Sequence, residues 1–495
     1  MEKYDVIIIG AGVVGAMIAR TLSKYNISIL VIEKESDVCM GTSSANTAIV
    51  HAGYDPAPGT LKAELNVKGN KIWDTLAGEL NIPFKRTGDY VIATNMDEFG
   101  KLEELRERGN KNGVIGLETI QKDMLLSKLP YLNRTVSGAL FAPTGGIIDP
   151  FEATLAPMEN AVENGVKLML ETSFEEFIRD GSKIVGIKTN RGEFYASWVI
   201  NASGLYADTI MHKIDVHPEF LITPRKGEYL IFDKNEFAIN DVLFPVPTEV
   251  SKGIMITTTT HGNTIIGPNS HEINDKEDKA NTKEGLDEVY TGAKKLVDNV
   301  NLRHTIAMFA GLRATGNARS PNPNVDYKHD FLIEILNNIG LINVAGIESP
   351  GLASAPAIAE KVVELLKESG FVITEKKEWN PIRKPRIHFR DLSNKEKEAL
   401  VKKNPSYGRV ICRCESVTEG EILDTLNAPI PPKTYDAVKR RTWLGTGRCQ
   451  GAFDLPRVVE ILSRELGVSR LEITKKGEGS QFLTGTKITE SAKRS

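Results

Sequence analysis

The sequence predicts a mixed α/β and α+β protein of several domains, and three observations carry that prediction. Within the first 35 residues an apolar run leads into a glycine turn, a helical pattern and a second apolar run. Strand-like alternation dominates the middle of the chain, as in "GIMITTTTHGNTIIGP". Three of the four cysteines, Cys412, Cys414 and Cys449, gather in the last fifth. A chain of 495 residues exceeds what one core serves, so two or three domains are expected. Hydrophobic content of 41% and charged content of 26% are ordinary for a globular protein, and a net charge of −3 carries no nucleic-acid signature. No apolar run reaches the roughly 18 residues that span a bilayer. The opening "MEKYDVIIIGAG" enters a strand at once, which predicts no signal peptide and a cytoplasmic protein. A peripheral contact at the inner face of a membrane is compatible with this composition. Four cysteines do not make a disulfide scaffold.

"YDVIIIGAGVVGAMIARTLSKYNISILVIEK" justifies the first element. Val6 to Ile9 reads as a strand buried on both faces. Gly10, Gly12 and Gly15 then spell G-x-G-x-x-G before a helical pattern at Met17, Ile18, Thr21 and Leu22. The run Ile27 to Ile32 ends in Glu33. Strand, glycine turn, helix, strand and acid together define a Rossmann-like dinucleotide-binding unit. Gly10 permits the tight turn, Gly12 the approach of a pyrophosphate, and Gly15 close helix–strand packing. The helix start at Val13 and Val14 offers N–H groups to phosphates, and Glu33 suits ribose hydroxyls. This unit alone leaves NAD or FAD open. No second such unit follows: "GTGRCQG" has a similar spelling but lies beside a cysteine and follows no strand.

Lys34 and the segment "GTSSANTAIVHAGYDPAPGTLKA" favour flavin. With "PTGGIIDPFE", "VINASGLYAD", "PRKGEYLIFD" and "VAGIESPGLASAPAIAE", the chain from 1 to about 370 resembles the FAD-dependent D-amino-acid-oxidase-like superfamily. Within it, the chain is similar to the flavin-linked glycerol-3-phosphate dehydrogenases of the anaerobic type. Two of these motifs also make physical sense unaided. Ala202, Ser203 and Gly204 are small residues at a strand end, where backbone can approach a cofactor. Leu341 to Ala345 reads as a strand that passes Gly346 and Gly351 into a helix from Ala357 to Lys367, its N-terminus toward the flavin. The resemblance implies further cofactor contacts at Thr42, Ser43, Ser44, Asn46, Thr47 and Ala48. It also implies contacts at Ser173, Phe174, Arg313, Ile347, Leu352 and Ala353. The expected FAD-binding domain is discontinuous (1–84, 146–215 and 331–370), with an antiparallel-sheet substrate domain inserted at 85–145 and 216–330. A helix near Lys283 to Val300 is expected in the latter.

Oxidising a secondary alcohol needs hydride transfer and removal of the hydroxyl proton, for which histidine is a natural base. His51 sits where the family places a histidine beside the flavin ring, so it is the candidate base. A flavin contact or a site of covalent flavin attachment are the competing readings. His261 is a second candidate, expected at a strand end on the surface. A phosphate monoester needs at least two cationic or multi-donor partners. Arg313 in "GLRATG" matches the arginine with which the superfamily grips its substrate's anion, and Lys226, Lys252 and Arg319 are further cations. The 2-hydroxyglutarate-type enzymes share these motifs and are the rivals. Cys39 reads as a small buried residue without redox duty.

Residues 371–405 read as a charged, proline-punctuated linker with a short helix, 406–475 as a cysteine domain, and 476–495 as a polar tail. Cys412 and Cys414, two apart on an extended segment, can both reach one metal. A helix from Thr418 to Leu426 opens on a capping box with Glu421. This region resembles the bacterioferritin-associated-ferredoxin-like [2Fe-2S] domain, whose ligands follow C-x-C, a gap, then C-x4-C. Cys412, Cys414 and Cys449 match, and Asp454 stands where the fourth cysteine would be. Three readings stay open: a [2Fe-2S] cluster with Asp454 as an oxygen ligand, a structural zinc, and a metal-free docking domain.

The resemblance implies an FAD-dependent oxidation of sn-glycerol 3-phosphate to dihydroxyacetone phosphate. Electrons would leave through the iron–sulfur centre to a protein partner, such as a second flavoprotein in a hetero-oligomer. The rivals are a 2-hydroxyacid or amino-acid dehydrogenase, and a non-catalytic flavin/iron–sulfur electron-transfer subunit.

Overall fold

The structure, a computed structural model, describes residues 2–214, 216–247, 253–322, 324–325 and 327–485. Lys252, a predicted substrate cation, lies outside the described residues. Contacts divide the chain into two units, Met1–Lys34 with Val38–Lys384, and Glu35–Asp37 with Pro385–Ser495.

In the first unit Val6–Ile9 are buried at the end of strand Glu2–Ile9, as a continuous apolar run demands. The strand lies inside a parallel set ordered Leu341–Ala345, Gly192–Asn201, Glu2–Ile9, Ile29–Ile32, Lys167–Met169. Antiparallel strands extend this set, and among the described residues the sheet has eight. Helix Val13–Leu22 packs between Glu152–Glu163 and Gly351–Glu368. The last helix begins six residues before the expected Ala357. Pro356 sits inside it, and the Leu352 carbonyl that Pro356 cannot serve accepts instead from Trp73 Nε1 at 3.2 Å.

Among the described residues a nine-stranded sheet forms the cover, drawing strands from 89–142 and 222–316. Its long hairpin-like pair, Ile222–Phe232 and Thr305–Gly316, sets Arg225 opposite Arg313 and Lys226 opposite Leu312. Directly paired residues share a face, so Arg313 and Lys226 project from opposite faces. A Cβ at Gly311 would overlap the Ala45 carbonyl oxygen, and one at Gly316 would lie 3.0 Å from Gly346 Cα. These two glycines let the Arg313 strand lie against the 42–48 loop and the turn before helix Gly351–Glu368. The helix expected to Val300 ends at Ala293, where Asn133 Nδ2 takes the carbonyls of Lys294 and Lys295 at 2.7 and 3.2 Å.

The expected linker is divided between the units. Its first part is pinned in the first unit by Arg383, buried with Glu152 Oε2 at 2.6 Å and Glu159 Oε2 at 2.7 Å. In the second unit, helix Asn394–Lys403 opens on a Ser393–Glu396 capping box. Strands Val410–Cys412 and Val417–Thr418 pair, and helix Glu419–Leu426 opens on the Thr418–Glu421 box. Helices Tyr435–Thr442 and Leu455–Leu466 complete a core around Ile411, Ile422, Val438 and Leu462. Asp37 joins this unit through Arg440 and Arg441, each donating to Oδ2 at 2.7 Å. The tail is described as far as residue 485. No helix among the described residues is long and apolar enough to cross a membrane.

Candidate functional site

The glycine turn builds a cradle. Gly10 has φ +105°, and a Cβ there would stand 2.6 Å from the Ala202 carbonyl oxygen. Gly15 has no room either, because its Cβ would overlap the Gly10 carbonyl oxygen. At Gly12 the nearest atom to an added Cβ is Ser43 Oγ at 3.1 Å, so that side of the turn stays open for a ligand. Glu33 Oε2 accepts from the Ala11 N–H at 2.8 Å, which holds the carboxylate over the turn. Ser43 Oγ accepts from the Val13 N–H at 2.9 Å, while the first-turn N–H of Val14 has no acceptor inside its helix. These features fit a dinucleotide phosphate at the start of Val13–Leu22.

The 42–48 loop is shaped by its own side chains. Asn46 Nδ2 donates to the Ser43 carbonyl at 2.9 Å and Oδ1 accepts from the Ala48 N–H at 2.8 Å, holding Ala48 at φ +57°. Thr42 Oγ1 donates to the Leu312 carbonyl at 2.6 Å, and Ser44 Oγ to the Gly41 carbonyl at 2.9 Å. Thr47 is half-buried in the same loop. Ser203 Oγ donates to Asn201 Oδ1 at 2.6 Å, and Gly204 turns at φ +60°. Ile347 lies against Gly351, and Leu352 and Ala353 form the first turn of the following helix. Ser173 and Phe174 sit where strand Phe174–Asp180 begins; the Ser173 N–H is held by Asn190 Oδ1 at 2.9 Å, and Phe174 packs edge-on against Phe177. Lys34 reaches Glu277 at 3.2 Å and lies over the Tyr206 ring.

His51 follows this loop. Its carbonyl accepts from Asn66 and Asn70 Nδ2 at 2.7 and 2.9 Å, and its Nε2 lies 3.4 Å from Ser349 Oγ. Ser349 and its neighbour Glu348 were not singled out in the sequence, although both lie in the quoted "VAGIESPGLASAPAIAE". Glu348 Oε1 pairs with Lys62 Nζ at 2.6 Å and Oε2 accepts from Thr315 Oγ1 at 2.7 Å. Burial alone would raise the Glu348 carboxyl, but Lys62 and Thr315 outweigh it and hold it below its ordinary value. Arg313 shares this face. Burial draws its guanidinium down, and Glu348 opposes that shift. Its Nη2 donates to the Asn269 carbonyl at 2.9 Å and its Nε to the Arg225 carbonyl at 3.4 Å. Two of its five N–H donors are thereby used, and three have no partner among the described residues.

The structure therefore brings His51, Ser349, Glu348 and Arg313 together. It does not bring Lys226, whose ammonium is held on the other face by Asp278 at 2.9 Å and the Ala280 carbonyl at 3.2 Å. Arg319 is exposed, in an isolated bridge with Lys328. His261 is not a surface residue: its side chain is 8% exposed, with Nε2 at 3.4 Å from the buried Asp149. Asp149 comes from a distant stretch, so local pattern could not place the two together. Cys39 is buried, as expected, against the Pro150 carbonyl.

In the second unit Cys412, Cys414 and Cys449 present three sulfurs at 3.2, 3.6 and 3.9 Å from one another. Burial pushes the Cys412 thiol far above its ordinary range and Cys449 up to about 11, so metal entry must displace protons. Asp454 is fully buried, with Oδ2 3.6 Å from Cys449 Sγ. Three thiols in one tight group fit the thiolate ligation of an iron–sulfur centre.

These features define a flavin-dependent oxidoreductase carrying a cysteine-ligated centre. Residues 5–365 match the family of FAD dependent oxidoreductases, and the chain belongs to that family. Residues 410–464 match the BFD-like [2Fe-2S] binding domain. The chain is 45% identical over 491 residues to the glycerol 3-phosphate dehydrogenase of Caloramator mitchellensis, covering 98% of this chain and 99% of that one. It is 25% identical over 416 residues to the mitochondrial L-2-hydroxyglutarate dehydrogenase of Bos taurus, covering 74% of this chain and 89% of the relative. Among solved structures it is similar to the dithionite-reduced L-alpha-glycerophosphate oxidase of Mycoplasma pneumoniae with FAD bound. That match has a TM-score of 0.71 at 29% identity and covers 78% of this chain and all of the other.

Proposed function

We propose that the protein oxidises sn-glycerol 3-phosphate to dihydroxyacetone phosphate and delivers the electrons to a protein partner. The similarity to a glycerol 3-phosphate dehydrogenase over 98% of the chain, cysteine unit included, carries this reading. Arg313 grips the phosphate with its three remaining N–H donors, and Lys252 is the second cation of the proposed grip. His51 Nε2 takes the hydroxyl proton, and Ser349 Oγ beside it holds the imidazole or the substrate hydroxyl in line. Bound FAD supplies the acceptor for the hydride from the alcohol carbon. A cluster held by the three cysteines and Asp454 would supply a one-electron exit for the flavin's electrons.

Arg413 and Arg448, each next to a cysteine in the chain, are exposed, as are Arg457 and Phe453, the latter by 76%. These exposed cations and the exposed ring suit an electron carrier with an acidic, partly apolar face, a second flavoprotein in a cytoplasmic hetero-oligomer being the partner we propose. Rates with an added acceptor protein should then fall as salt rises. For the substrate, dye-linked turnover is the test. Glycerol 3-phosphate should support it with stoichiometric dihydroxyacetone phosphate. Turnover with L-2-hydroxyglutarate instead would replace the phosphate reading with the carboxylate one.

A further inference from the structure

An aspartate at the N-cap of a helix ordinarily bonds the first-turn N–H groups. Asp454 occupies that position on helix Leu455–Leu466 and makes no such bond. Its carboxylate is fully buried among Tyr435, Cys449 and Cys412 instead. Oδ1 accepts from the Tyr435 hydroxyl at 2.6 Å, and Oδ2 faces Cys449 Sγ at 3.6 Å. Tyr435 reaches it through the cysteine loop. A Cβ at Gly451 would stand 2.7 Å from the Tyr435 hydroxyl, and one at Gly445 would overlap it. Both glycines have positive φ, +86° and +70°, so the loop is built with an opening for that hydroxyl. Phe482 locks the ring edge-on at 5.8 Å.

We infer that Tyr435 is the positioning residue that lets an aspartate serve as the fourth ligand of the centre. The inference rests on the iron–sulfur reading proposed above. A thiolate offers one sulfur and needs no orientation beyond its rotamer. A carboxylate offers two oxygens and can chelate or swing away. A short hydrogen bond on Oδ1 disfavours chelation and leaves Oδ2, on the thiol side, as the better ligand atom. The same bond spreads the carboxylate's charge and keeps it from capturing water. Partners of this kind around metal ligands orient them and tune retention.

The test uses the full-length protein prepared anaerobically, as parent, Tyr435→Phe, Asp454→Cys and the double variant. Iron and sulfide content, chelator-driven iron loss and the EPR spectrum after reduction are read for each. Tyr435→Phe should weaken iron retention about 10- to 100-fold in the parent background. In the Asp454→Cys background the same substitution should change retention less than about twofold, because a thiolate needs no such partner. Asp454→Cys alone should shift the reduced spectrum, since an oxygen ligand has been exchanged for sulfur. This arm stands even if Tyr435→Phe fails to fold. An unchanged spectrum in Asp454→Cys, or equal losses from Tyr435→Phe in both backgrounds, overturns the inference. A parent protein that holds zinc or no iron is a different result, which removes the iron–sulfur reading itself.

Discussion

Arg313→Met removes the guanidinium and keeps most of the volume, so it isolates the anion grip. The fold around it should survive. Glu348 keeps Lys62 Nζ at 2.6 Å and Thr315 Oγ1 at 2.7 Å, and the partners released are the backbone carbonyls of Arg225 and Asn269. On the proposed reading, what is lost is a half-buried cation whose three remaining N–H donors serve a dianion. Charge-assisted contacts of that kind are worth on the order of 2 to 5 kcal/mol when truncated. That converts to a loss of about 30-fold to several thousand-fold in kcat/KM. Arg313→Lys should fall between, since it restores charge without the planar fork. The assay is dye-linked turnover across a range of glycerol 3-phosphate, with flavin content measured on the same sample. KM should rise sharply while flavin stays bound. Unchanged KM and kcat in Arg313→Met would refute the assignment of this arginine to the substrate.

Gly12→Val should fold yet lose FAD, because its Cβ meets only the movable Ser43 Oγ inside the protein at 3.1 Å while the side chain fills the phosphate path; retained stoichiometric flavin would show that the cofactor lies elsewhere. His51→Ala should slow anaerobic flavin reduction by about a hundredfold or more with flavin retained, whereas a fall in flavin content alone would make His51 a cofactor contact. Asp37 gives the pH dependence of the second unit. Burial alone would raise its carboxyl, but Arg441 and Arg440 overcome this and hold it down to about 2. A carboxyl depressed in the folded state contributes stability above its unfolded value of about 3.9 and loses it as pH falls toward 2, on the order of 2 kcal/mol in all. Asp37→Asn removes the buried carboxylate that Arg440 and Arg441 share and should cost on the order of 3 to 5 kcal/mol at neutral pH. Thermal unfolding at pH 7 and below pH 4 checks both, and a melting temperature unmoved by the substitution would contradict the pairing.

What the sequence revealed was whatever local chemistry determines. Strand Leu341–Ala345 and the Thr418–Glu421 capping box are legible because an apolar run and a hydroxyl three residues before a glutamate act within one turn. The early start of helix Gly351–Glu368 was not, because the indole of Trp73, 279 residues from Leu352, rescues the carbonyl that Pro356 orphans. Lys226 and Arg313 both looked available as cations, yet strand register sends them to opposite faces and Asp278 holds the lysine. His261 read as a surface residue because nothing near it announces Asp149. The three cysteines were visible by spacing alone. The tyrosine that reaches Asp454 between two glycines was not, since that contact needs the fold.

The central claim is that glycerol 3-phosphate reduces the flavin of this chain. Anaerobic titration of the oxidised protein with sn-glycerol 3-phosphate, followed by flavin absorbance, tests it most directly. The flavin band should bleach within the first few equivalents, with dihydroxyacetone phosphate recovered in proportion to the electrons taken up. A flavin that stays oxidised with glycerol 3-phosphate and bleaches with a 2-hydroxy acid or an amino acid would contradict the account. A flavin that no such substrate reduces would leave the chain an electron-transfer subunit.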